Sequence, residues 1–135
     1  MDLKNIIYHI VTQNDLESFT KDGCYQPGNF SQDGFIHCTA EKSTSLLILE
    51  DYFKEISKSN EILVLAIDTT KLKAEVKFEP PAPVQGAGTS HIKEGLFPHI
   101  YGYLNIDAIA GVGKVKITED KFVWPSTFDD IKKHL

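Results

Sequence analysis

The sequence predicts an α+β domain with a curved sheet, and three observations lead there. Segments of strand character outnumber helical ones and concentrate in the second half of the chain. One of them, EILVLAID (61–68), is an unbroken apolar run of the kind that a strand buried on both faces requires. A single longer stretch, AEKSTSLLILEDYFKEIS (40–57), carries Leu46, Leu49, Phe53 and Ile56 at helical spacing.

Taken in order, NIIYHIV (5–11) is β-branched and aromatic enough for a first strand. Alternation puts His9 on the face of Ile7 and Val11, with Tyr8 opposite. Thr12 is placed to cap a short helix, with Asp15 as its capping-box partner, Leu16 and Phe19 as its buried side and Gly23 as its stop. YQPGNFSQD reads as a loop around Pro27 and Gly28, and Gly34 opens a second strand in which Phe35, His37 and Thr39 share a face. Thr39 also stands where the N-cap of the long helix is expected. AEVKFEP (74–80) alternates like a half-exposed strand. The Pro- and Gly-rich segment that follows, residues 80 to 96, has the length of a lid or binding loop. LFPHIYGYL and the long strand AIAGVGKVKIT come next, then KFVW as a hairpin partner beyond a Glu119-Asp120 turn, and a last helical turn in STFDDIKKHL.

At 135 residues the chain is expected to form one domain, 1–135, with a single core. Cys24 and Cys38 form no CxxC pair, so neither a zinc knuckle nor a disulfide framework is expected, and a reducing compartment suits them. No cationic leader with an apolar run opens the chain, and no apolar run approaches the ~20 residues of a membrane span. A cytoplasmic protein without membrane contact is the expectation. The net charge of -5 argues against a nucleic-acid partner, and all 14 basic residues are lysine, leaving no arginine fork for phosphate. Nothing in the sequence signals an obligate protein partner.

The residues that ask for a chemical explanation are histidines. His9 sits within the first strand, His37 in the second, and His99 in FPHIYG, where Pro98 imposes an extended backbone. Each alone is compatible with a core imidazole bonded to a carbonyl. Three in three apolar contexts point to one site. Tyr101, two residues beyond His99, would face the same way. Cys38 alternates away from His37 and reads as a small buried hydrophobe; Cys24 reads as a loop residue; His91 and His134 read as solvated.

YHIV, DGFIHCT, EILVLAID and FPHIYGYL, in that order over residues 6 to 118, resemble the bacterial family called domain of unknown function 952. The resemblance implies an ADP-ribosyltransferase-like fold, a split, curved β-sheet with a few flanking helices, related to the tRNA 2'-phosphotransferase branch. It implies a cleft for NAD or ADP-ribose, a small nucleotide ligand, and a transferase or hydrolase acting on such compounds. On this basis His9, His37, Thr39, His99 and Tyr101 would bind the cofactor, with His37 and His99 the catalytic pair. The missing arginines argue against the RNA 2'-phosphate reaction itself, and no toxin-type glutamate stands at a matching position, although Glu94 is close by.

Three other readings compete. Three histidines are the ligand set of a catalytic zinc, but Asp33 is the sole acidic residue near them in sequence to orient the rings. HCT is one copy of the His-x-Thr motif of two-histidine phosphoesterases, and a second copy is missing. The fold could also serve as a non-catalytic module that binds a nucleotide or a partner.

Overall fold

The computed structural model describes residues 5–17, 23–27, 30–80 and 96–134. Phe19, Gly28, His91, Glu94 and residues 81–95 of the expected lid therefore lie outside the described residues. The architecture is a mixed α+β fold of antiparallel sheets and short helices.

The first sheet has the order β1 (Ile6–Thr12), β4 (Ile62–Asp68), β8 (Ile109–Lys114), all antiparallel. β4 lies in the middle, and both of its faces are covered. Leu63, Leu65 and Ile67 join Ile7 and Val11 in one core cluster, whereas Ile62 and Val64 join Ile10 in another. That two-sided burial is why the EILVLAID run does not alternate. Alternation does hold in β1, where Tyr8 packs against the second cluster.

The second sheet has the order β3 (Ile36–His37), β6 (Phe97–Tyr101), β5 (Glu75–Glu79). Segment 36–39 changes partner along its length. Ile36 and His37 pair with β6, Cys38 N–H donates to the Pro98 carbonyl at 3.1 Å, and Thr39 pairs with Tyr8 of β1 through two 2.8 Å bonds. This handover joins the two sheets. Among the described residues a pair of two-stranded ladders completes the set: β2 (Cys24–Tyr25) with β7 (Leu104–Asn105), and β9 (Lys116–Thr118) with β10 (Lys121–Val123).

Several sequence expectations are corrected. The Thr39 N–H and C=O are both spent on Tyr8, so Thr39 is a bridge residue, and helix α3 (Lys42–Tyr52) starts after Glu41. Beyond Tyr52 the helical stripe breaks up among polar residues, leaving Ile56 exposed in a 3-10 turn. YQPGNFSQD contains a helical turn, α2 (Phe30–Asp33), closed by Gly34 at φ 81°, a backbone angle that glycine adopts without strain. Cys24 belongs to β2 rather than to a loop. The strand expected over 108–118 divides at Val115, whose N–H makes a 3.0 Å bond to Ile62 before the chain departs as the β9–β10 hairpin. His134 is half-buried, because the 3-10 turn Ile131–Lys133 is anchored by buried Ile131 and folds it inward. Its Nε2 is enclosed with no hydrogen-bond partner among the described residues.

Thr12 caps α1 (Gln13–Leu16) as expected, its hydroxyl accepting from the Asp15 N–H at 3.1 Å. Thr12→Ala should lower stability by about 1 kcal/mol in urea unfolding. An unchanged midpoint would show that the cap carries no free energy. Among the described residues no helix is long and apolar enough to cross a membrane.

Candidate functional site

Cross-strand register builds the site. His37 of β3 and His99 of β6 are direct Cα partners, and antiparallel partners project to the same face. Their rings lie 5.7 Å apart, nearly edge to face at 71°. Phe35 joins them, stacked on His99 at 4.1 Å and 4.7 Å from His37, and lies 5.4 Å from the ring of Tyr101. Alternation along β6 sets Tyr101 beside His99.

Each imidazole rests on its own carboxylate. Asp33, at the end of α2 and delivered by the Gly34 turn, accepts from His37 Nε2 at 2.9 Å, with only 5% of its side chain exposed. Glu79, from edge strand β5, accepts from His99 Nδ1 at 2.9 Å, and the same oxygen takes the Tyr101 hydroxyl. Lys77 lies 4.9 Å from the centre of the Tyr101 ring. His37 Nδ1 and His99 Nε2 make no hydrogen bond among the described residues.

The exposures differ. The His37 side chain is 21% exposed and that of His99 4%, so His37 is the more accessible ring. Burial holds the His37 imidazole below its ordinary range, Asp33 pulls the other way, and His99 adds to the lowering. The Tyr101 and His99 hydrogen bonds hold the Glu79 carboxyl below the usual carboxylate range, and the bond to Glu79 raises the Tyr101 phenol.

His9 lies beneath this face. Its Nδ1–H donates to the His37 carbonyl at 2.7 Å, which fixes the tautomer, and Nε2 accepts the Tyr25 hydroxyl at 3.3 Å. Both nitrogens are thereby engaged inside the protein. Burial, the largest influence, lowers its pKa to about 4. Thr39 is likewise turned inward, its hydroxyl bonded to Ser45, which donates in turn to the Glu41 carbonyl. Cys38 is core, its thiol pushed up by burial.

The structure thus brings His37, His99 and Tyr101 onto one face and seats His9 and Thr39 behind it. Glu79 escaped the sequence reading. Its signal was there: AEVKFEP and FPHIY are alternating strands on either side of one loop, and pairing them as a hairpin sets Glu79 diagonal to His99. Nothing local marked Tyr25. Among the described residues no group of three or more His, Cys, Asp or Glu is disposed to hold a metal ion.

A crystal structure of protein CC0527 from Caulobacter crescentus aligns with a TM-score of 0.64 at 21% identity over 96% of each chain. A double mutant of the same protein gives 0.64 at 20% identity over 96% of each chain. Its solution NMR structure gives 0.53 at 18% identity over 97% of each. These likenesses establish a shared mixed α+β fold. No curated protein matches the chain. The family model described as "Protein of unknown function (DUF952)" matches residues 10–112, and the chain belongs to that family.

Proposed function

We propose that the His37–His99 face is the ligand site of an ADP-ribosyltransferase-like domain and takes NAD or ADP-ribose, acting as a transferase or hydrolase on such compounds in the cytoplasm. The single observation that carries the reading is the cross-strand pair: two imidazoles with rings 5.7 Å apart, each set by a carboxylate, on a face shared with Phe35 and Tyr101. The partner change of segment 36–39 supports a split sheet of the kind that fold has.

Cleavage of the nicotinamide bond passes through an oxocarbenium-like sugar, so a protein assists by orienting the riboses and by placing charge where it develops. His37 contacts the ligand, His99 holds or transfers a proton, and Tyr101 flanks the ring. His9 acts through the carbonyl of His37, to which it donates, and Thr39 by holding the strand handover in place.

NAD, ADP-ribose and nicotinamide titrated separately into the protein should shift the imidazole NMR signals of His37 and His99, with His9 moving less. His37→Ala should abolish the response and any turnover of NAD. Unmoved His37 and His99 signals at millimolar ligand would overturn the proposal.

A further inference from the structure

The geometry points to Glu79 as a positioning residue that sets which nitrogen of His99 is free to take a proton from a ligand hydroxyl. The inference rests on the reading of this face as the ligand site, and it deepens that reading by adding a residue and a proton path.

Glu79 Oε1 receives two donors at once, the Nδ1–H of His99 and the hydroxyl of Tyr101. A carboxylate only accepts, so in the neutral ring the His99 proton must sit on Nδ1 and the lone pair on Nε2. His37 is held in the opposite sense. Its Nε2–H faces Asp33, and its Nδ1 carries the lone pair. Two neighbouring rings therefore carry unprotonated nitrogens of opposite type, each with a carboxylate behind it. When a ligand O–H bond breaks, its proton forms the new N–H bond at His99 Nε2, the oxygen keeps the electron pair, and Glu79 balances the imidazolium charge. No co-reactant is needed. Glu79 touches the ring and not the ligand, so its action is indirect. Among the described residues, the groups around His99 are His37 with Asp33 behind it from one side, and Lys77, Glu79, Glu75 and Tyr101 from the strand pair β5–β6. With the rings 5.7 Å apart, charge on His99 opposes charge on His37.

Nitrogen-15 imidazole spectra of the full chain, recorded without ligand, read the tautomers directly. Wild-type protein should show neutral His99 in a single Nδ1–H form and neutral His37 in the Nε2–H form. Glu79→Leu should lose the single His99 pattern and yield a mixture, with the His37 and His9 patterns retained as a check on folding. Glu79→Gln should restore the Nδ1–H pattern, because an amide oxygen still accepts. His99 carrying its proton on Nε2 in the wild type, or an unchanged pattern in Glu79→Leu, would overturn the assignment. Since no nucleotide is present, failure here is separate from failure of NAD or ADP-ribose to bind.

Discussion

Leu65→Ala is expected to destabilise the protein by about 2–5 kcal/mol, seen as a lower urea midpoint with an unchanged slope. Leu65 is fully buried at the centre of β4, between His9 of β1 and Val112 of β8 in the register. Strands on both sides hold the backbone in place, so the vacated volume cannot collapse and the lost contacts remain lost. Leu47, which is 55% exposed on α3, provides the control, since its truncation should change stability by no more than about 0.5 kcal/mol. Equal costs at the two positions would mean that β4 is not the centre of the core.

Acid should unfold the protein earlier than its carboxylates alone would require. An unfolded histidine titrates near 6.5, whereas buried His9 titrates at about 4. Above the higher value neither state holds the proton, and stability is at its full level. As the pH falls through 6.5 the unfolded chain takes up a proton that the folded chain refuses, so stability declines until the folded value is reached. The loss over that window is about 3 kcal/mol from His9. His37, also lowered, adds a loss of the same sign. Glu79 and Asp68 are held below their ordinary values of 4.5 and 3.8, so their contributions disappear only lower in pH. Urea midpoints at pH 7 and at ~pH 4.5 thus isolate the histidines. His9→Asn should remove most of the decline, and a wild-type midpoint flat between those values would show that His9 is not buried neutral.

This acid response also bears on the site. The His9 Nδ1–H bond to the His37 carbonyl persists in either protonation state, whereas a charged ring carries an Nε2–H that can no longer accept the Tyr25 hydroxyl. Protonation beneath the site therefore leaves the bond to His37 in place and disturbs the contact with Tyr25. A ligand assay across the same pH window would couple the two effects, whereas the unfolding measurement keeps them apart.

The sequence by itself determined the strands with strong pattern. The unbroken apolar run of β4, the alternation of β1, the strand position of β5, the Thr12 cap and the Glu119-Asp120 turn of the last hairpin are local signals, and each is where the pattern places it, although Phe78 of β5 stays exposed. Local signals also marked His37, His99 and Tyr101, because imidazoles and a phenol in apolar strands need partners. Only the tertiary structure decided what those partners are. Thr39 has the composition of a helix cap, yet both its backbone groups go to Tyr8, a neighbour 31 residues earlier in the chain. Glu79 meets His99 across β5 and β6, and His9 is consumed by His37 and Tyr25. Hydrogen bonds between distant segments depend on strand register and on which face each side chain takes. Propensity and spacing act over a few residues, so they identify the groups in need of partners, while the packing of the sheets selects which groups meet.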